Sequence, residues 1–234
     1  VSGRRPRRVG HKGADLLAPG NTPAAFDAAL AVGVDMIEFD ILSANHDGTG
    51  ELFLAHDYGH IDGAPTLEEG LAHLASSAFA GIELDVDLKL PGYELRALEA
   101  LRRHGLVERT LVSTMETSSL AVLRAAEPAL RLGWSVPKLR KDPMERLITR
   151  PAAIAFALAY RTALPRYSAA AIRAGKCDAL MAHWRLVTPA LVAHIHAAGG
   201  ELYVWTVDDR PTIDRLLALG VDGVITNDPR LFRD

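Results

Sequence analysis

Two stretches of the 234-residue chain place acidic side chains where a strand would present them together. In Met36-Ile37-Glu38-Phe39-Asp40-Ile41, the two-residue period of a strand sets Met36, Glu38 and Asp40 on one face and Ile37, Phe39 and Ile41 on the other. From Ile82 onward, Ile82, Leu84, Val86 and Leu88 alternate with Glu83, Asp85, Asp87 and Lys89. With the apolar faces packed on helices, the ionisable faces point inward. Two carboxylates about 4 Å apart repel by roughly 4 kcal/mol at an effective dielectric of 20. An interior cluster therefore needs a cation, a shared proton or a lysine partner. Oxygen ligands favour Mg²⁺ or Ca²⁺ over zinc, while an internal ion-pair network with Lys89 and nearby arginines is the alternative. Two histidines, His11 after the first short strand and His56 after a short strand returning from the Asp47-Gly48-Thr49-Gly50 turn, suit acid and base catalysis near neutral pH.

The elements that must position these groups alternate in type. Strand-like runs lie near Arg8 to Gly10, Met36 to Leu42, Gly81 to Leu88, Thr110 to Ser113, Leu130 to Val136, Ala179 to His183, Glu201 to Val207 and Gly223 to Thr226. Helix-like stretches fall between most of them, at Pro23 to Ala31, Tyr93 to His104, Ser118 to Ala126, Pro189 to Ala198 and Pro211 to Leu219. Thr22-Pro23 and Thr188-Pro189 read as caps with proline at the first helical position. Eight strands, with no glycine-rich phosphate loop after the first, point to a TIM (β/α)8 barrel rather than an open doubly wound sheet. Polar residues at the C-terminal strand ends should then face the mouth. The hairpin carries His56 back toward Glu38 and Asp40.

These residues fall in a known order. His11-Lys12-Gly13, Pro19-Gly20-Asn21-Thr22, Phe26 with Ala29 and Gly33, Ile37-Glu38-Phe39-Asp40, Asp47-Gly48, His56-Asp57, Asp87-Leu88-Lys89, Trp205-Thr206-Val207 and Gly220 to Pro229 follow one another along the chain. On these motifs the sequence resembles the glycerophosphodiester phosphodiesterase family, whose pattern reads H-R-G, P-E-N-T, I-E-x-D, H-D, E-x-K, W-T-V and G-V-D-G-I-x-T-D-x-P. The resemblance implies a PLC-like phosphodiesterase barrel with a reduced insertion after the second strand. It also implies hydrolysis of a glycerophosphodiester to an alcohol and sn-glycerol 3-phosphate. By that likeness Glu38, Asp40 and Asp87 hold one divalent cation, Mg²⁺ or Ca²⁺. Lys12, Lys89 and Trp205 meet the substrate, and His11 and His56 share the acid and base roles. Lysophospholipase D or sphingomyelinase D-like activity on lysolipids, or a phosphate-ligand-binding barrel without turnover, are the alternatives. Lys12 for Arg, Gly20 for Glu and Asp87 for Glu depart from the pattern. The first two read as a matched change, and the third leaves Asp85 or Glu83 as substitutes.

Charge and composition bound the remainder. The chain holds 26 Lys plus Arg against 29 Asp plus Glu, is 49% hydrophobic, and carries one cysteine, Cys177, which cannot form an intrachain disulfide. One barrel domain over residues 1–234 accommodates that length. Residues 131–176 carry ten basic and two acidic side chains, and Arg4, Arg5, Arg7 and Arg8 add four more positive charges. No RNA-type aromatic motif, helix-turn-helix or finger accompanies them, so nucleic acid is not the expected partner. The apolar run Ala152 to Tyr160 inside the basic stretch is half the ~20 residues a spanning helix needs. It reads as a core helix, with a peripheral contact on anionic membrane or a homodimer as the functional alternative. No secretory-type stretch lies near Val1, and the cytoplasm is the expected compartment. Trp134, His183-Trp184 and the Ser113-Thr114 hydroxyls are further candidates for lining the mouth, Asp57 supports the His56 loop, and His194 and His196 read as surface residues.

Overall fold

The computed structural model describes residues 5–138 and 150–232, and the alternation of apolar runs closes there into a barrel. Among these residues, eight parallel strands form the wall: β1 (Arg7–Gly10), β2 (Met36–Ser43), β4 (Glu83–Leu88), β5 (Thr110–Thr114), β6 (Arg131–Val136), β7 (Ala179–His183), β8 (Glu201–Trp205) and β9 (Gly223–Thr226), with β3 (Leu52–Phe53) antiparallel on the edge of β2. Pairing of β1 with both β2 and β9 closes the ring. Helices α1 (Pro23–Val32), α2 (Leu67–Leu74), α3 (Glu94–Arg103), α4 (Thr117–Ala126), α5 (Arg150–Arg173), α6 (Pro189–Ala197) and α7 (Arg210–Leu219) link successive strands. This is the expected TIM barrel. Three strands are shorter than expected: β4 begins at Glu83 rather than Gly81, β6 begins at Arg131 rather than Leu130, and β8 stops at Trp205 rather than Val207.

One helix, α2, adds to the expected set, and the helix expected over Ala152 to Tyr160 is part of the longer α5. α2 is started by a full capping box, in which Thr66 and Glu69 satisfy each other's backbone N–H groups. α5 runs for 24 residues through Pro165 and packs against α6. The basic residues Arg140, Lys141 and Arg146 of the expected surface segment lie outside the described residues. Among the described residues, no helix is long and apolar enough to cross a membrane.

The strand faces separate as the period of two requires. Ile37, Phe39 and Ile41 join the large core between sheet and helices, while Met36 joins Val9, Leu111, Ala179, Met181, Tyr203 and Ile225 in a smaller cluster inside the barrel. Gly133 is part of that interior, because a Cβ there would meet Leu111 Cδ2 at 2.8 Å and Met181 Cγ at 3.0 Å. Its neighbour Trp134 consequently faces outward and meets Tyr167 of α5 edge-on with ring centroids 5.5 Å apart. Trp134 is thus packing outside the barrel and does not line the mouth.

The N-terminal end of the barrel is closed by charge. Glu83 accepts from Arg7 Nε at 2.9 Å and Arg131 Nη1 at 2.9 Å, and Arg131 Nη2 reaches Glu201 at 2.6 Å and the Tyr203 hydroxyl at 3.2 Å. Burial alone would raise the pKa of Glu83, but hydrogen bonds from Arg131 and Arg7 bring it below the ordinary value. Glu83→Gln should therefore lower stability at pH 7 by about 1–3 kcal/mol, read as a reduced urea midpoint. Because the folded pKa is depressed, the contribution is full above the unfolded value near ~4.3 and is lost as pH falls through the folded one. The gap between wild type and variant should close on acidification, and a gap that persists below that range would contradict the assignment.

Candidate active site

At the opposite end, in-register pairing of β2 with β4 sets Asp40 beside Asp87 and Glu38 beside Asp85. Glu38, Asp40 and Asp87 bring carboxylate oxygens within 4.8 Å of one another. Lys89 completes the cluster, its Nζ 2.5 Å from Asp40 Oδ1 and 2.6 Å from Asp87 Oδ2. Burial disfavours the ammonium, yet the pull of Asp40, Asp87 and Glu38 holds its pKa above the ordinary value. Burial opposes the charge of Asp40 too, and Lys89, His56 and His11 overcome it, leaving Asp40 well below the carboxylate range. Glu38 moves the other way, pushed well up by burial and then by the charge of Asp40. The cluster is short of positive charge.

Asp40 Oδ1 tests whether a cation suits these groups. It is buried, and its partner is the Lys89 ammonium at 2.5 Å. Three carboxylates converging on one buried lysine make an all-oxygen donor set that fits a hard divalent cation. Asp85 sits deeper, where it accepts from the Ser113 hydroxyl at 2.7 Å and burial pushes its pKa up to about 7. Glu83 is at the far end of the barrel, bound to Arg7 and Arg131. Of the three acids on β4, Asp87 is the one beside Asp40.

Asn21 is a site residue that sequence reasoning missed. It is buried, holds a left-handed φ of 58°, donates from Nδ2 to Asp40 Oδ2 at 2.9 Å and accepts the Asp40 backbone N–H at 3.0 Å. Non-glycine residues at positive φ are uncommon and concentrate at functional sites. The signal was its place in the Pro19-Gly20-Asn21-Thr22 motif, where Thr22 drew attention as the cap of α1.

The two histidines meet the cavity from different environments. His11, Glu38, His56, Asp87, Lys89 and Trp205 line a cavity of about 150 Å³. His11 is tied by Nδ1 to Asn227 Oδ1 at 2.5 Å, its Nε2 stands 3.8 Å from Glu38 Oε2, and burial lowers its pKa. His56 is exposed and meets Asp57 Oδ2 with Nδ1 at 3.2 Å. Hydrogen bonds from His60 and then His56 hold Asp57 at about 2, so it supports the loop as a carboxylate. The loop returns because Phe53 bridges Thr66 and Leu54 N–H donates to Pro65, while Arg96 of α3 grips the Gly48 and Gly50 carbonyls of the preceding turn.

Trp205 forms one wall, its indole N–H donating to the Met181 carbonyl at 2.9 Å and His183 meeting it edge-on. Ser113 lines the cavity, whereas the Thr114 hydroxyl, one residue on, points outward to the Leu88 carbonyl at 2.8 Å. His196 is anchored to Asp222 Oδ2 at 2.8 Å rather than free on the surface. Lys12 faces a neighbouring cleft of about 490 Å³ that also reaches His56, and its Nζ is 3.6 Å from Asp15 Oδ2. Asp15 Oδ1 accepts from Gly20 N–H at 3.0 Å, just where a Cβ at position 20 would lie, 2.4 Å away. Gly20 thus leaves the space that the Asp15 carboxylate occupies, within reach of Lys12.

Comparison with known proteins follows the same architecture. The Glycerophosphoryl diester phosphodiesterase family profile matches residues 65–231. A Glycerophosphodiester phosphodiesterase from Caldanaerobacter subterraneus subsp. tengcongensis is 26% identical, covering 94% of this chain and 93% of its own. One from Bacillus altitudinis is 28% identical over 94% and 93%. The structure of an Oleispira antarctica phosphodiesterase in complex with the product sn-glycerol-3-phosphate superposes with a TM-score of 0.70 at 21% identity, covering 95% of this chain and 93% of that one. A glycerophosphodiester phosphodiesterase from Agrobacterium tumefaciens superposes with 0.68 at 20% identity over 97% and 99%. At such identities the two structures show the shared fold.

Replacing Gly20 by Ala should displace the Asp15 carboxylate and cost about 1–2 kcal/mol. In an Asp15→Ala background the same change should cost at least about 1 kcal/mol less, because the crowding atom is gone. Chemical denaturation of the four proteins measures the coupling, and strictly additive costs would contradict the contact.

Proposed function

The chain belongs to the glycerophosphoryl diester phosphodiesterase family, and from that premise we propose that it is a metal-dependent hydrolase releasing an alcohol and sn-glycerol 3-phosphate from glycerophosphodiesters. The observation that carries this reading is the convergence of Glu38, Asp40, Asp87 and Lys89 with two histidines at one cavity. Glu38, Asp40 and Asp87 hold the cation. A bound Mg²⁺ or Ca²⁺ supplies positive charge to the phosphoryl oxygens.

The protein's own groups do the proton work. His11 presents Nε2 at the cavity and takes the proton from the attacking hydroxyl. Attack by water gives sn-glycerol 3-phosphate in one step, whereas attack by the glycerol's own hydroxyl gives a cyclic phosphate that a second attack, by water and with the two histidines exchanging roles, opens to the same product. As the new P–O bond forms and the old one breaks, His56 on the exposed side returns a proton to the departing oxygen. Lys89, held between Asp40 and Asp87, would balance phosphate charge at the cavity. Trp205 offers its ring to the glycerol or alkyl part. A second substrate class, lysophospholipids, is favoured by one observation: the roughly 490 Å³ cleft beside His56 gives room for a bulkier diester.

Turnover of a panel of glycerophosphodiesters and lysolipids, with products identified and an EDTA control, tests the reading. It predicts sn-glycerol 3-phosphate from at least one diester, loss with chelator and recovery with Mg²⁺ or Ca²⁺. Saturable binding of the diesters with no product would overturn it in favour of a ligand-binding barrel.

The two histidines should separate by leaving group. His11→Ala should lose at least about 100-fold in kcat on both a glycerophosphodiester and a nitrophenyl phosphodiester. His56→Ala should lose as much on the first and far less on the second, since a nitrophenolate departs without a proton. The reverse pattern would exchange the two roles.

A further inference from the structure

The polar partners behind His11 form a chain with a defined direction. Asp208, just beyond β8, accepts from three donors: Asn227 N–H at 2.8 Å and Thr226 Oγ1 at 3.0 Å on Oδ1, and Asn227 Nδ2 at 2.7 Å on Oδ2. A carboxylate accepts only, so the Asn227 amide must turn its NH₂ toward Asp208 and its carbonyl oxygen away. That oxygen lies 2.5 Å from His11 Nδ1. An amide oxygen also only accepts, so Nδ1 must carry the hydrogen. In the neutral ring the remaining nitrogen, Nε2, is then a bare lone pair, and it is the nitrogen on the side of Glu38. The backbone fixes the same geometry from the other side, because His11 N–H donates to the Thr226 carbonyl at 2.8 Å.

We propose that Asp208 and Asn227 are positioning residues that set the tautomer of His11, keeping Nε2 free to accept a proton at the cavity. This rests on the reading of His11 as the base. Neither residue touches the carboxylate cluster, so their role runs through the imidazole alone. Asp208 acts by denying the Asn227 amide its flipped state. An amide at position 208 can donate as well as accept, so it permits the flip. The NH₂ of Asn227 would then face Nδ1 and move the hydrogen to Nε2.

The test joins a spectroscopic and a kinetic readout. Long-range ¹⁵N–¹H correlation on histidine-labelled protein assigns the ring tautomer of His11, with His11→Ala identifying its signals. The wild type should show hydrogen on Nδ1. Asp208→Asn should shift the population toward hydrogen on Nε2 and lower kcat by about 10- to 100-fold, with KM changed less than threefold. Exchanging the pair, Asp208→Asn together with Asn227→Asp, restores an acceptor that cannot flip against Nδ1. It should recover the wild-type tautomer and most of kcat.

A wild-type ring with hydrogen on Nε2 would overturn the proposal. So would an unchanged tautomer in Asp208→Asn, or a tautomer and kcat that the exchanged pair fails to restore. The tautomer is measurable without turnover, so a failure of the phosphodiesterase reading would be seen separately from a failure of this one.

Discussion

Three carboxylates at the mouth of a closed barrel repel one another, and most of what surrounds them offsets that repulsion. Glu38, Asp40 and Asp87 are brought together by strand register, which alternates side chains and sets Asp40 opposite Asp87. The sheet cannot slip by one residue to relieve them, because that would move Ile37, Phe39 and Ile41 from the outer core into the barrel. Lys89 supplies one positive charge between Asp40 and Asp87, and Asn21 supplies an amide clamp on Asp40 from a strained backbone position. Three acids still face a single lysine. A divalent cation would answer that deficit.

The barrel handles charge oppositely at its two ends. At the N-terminal end Arg7 and Arg131 match Glu83 and Glu201 closely, and the result is a plug. At the C-terminal end acids outnumber the single bridging lysine, and the result is a site. Between them lies the apolar layer of Met36, Leu111, Met181 and Tyr203, which keeps water out of the barrel centre and separates the two networks. The loop after β1 shows how such a mouth tolerates sequence change. Gly20 makes room for Asp15, and the Asp15 carboxylate lies 3.6 Å from the Lys12 ammonium.

Much of this was legible in the sequence for physical reasons. The period of two in Met36 to Ile41 and Ile82 to Lys89 revealed both the strands and the inward carboxylates. Proline after threonine marked the starts of α1 and α6. Periodicity alone could not say where on the barrel axis each acid of β4 falls. Glu83 and Asp87 share a face but belong to opposite ends, and only the three-dimensional placement of Arg7 and Arg131 separates them. Trp134 and Thr114 were misplaced by the same one-residue ambiguity. Asn21, Asp208 and Asn227 were hidden because polar loop residues have many uses, and their partners lie 19 or more residues away for Asn21, 18 or 19 for Asp208 and 216 for Asn227.

The proposed chemistry depends on the carboxylate cluster accepting one cation. Calorimetric titration of Ca²⁺ or Mg²⁺ into chelator-stripped protein measures this directly, with Asp40→Asn as the comparison. One saturable site per chain, lost or strongly weakened in the variant, is the predicted result. No saturable binding in the wild type, or equal binding in the variant, would contradict it.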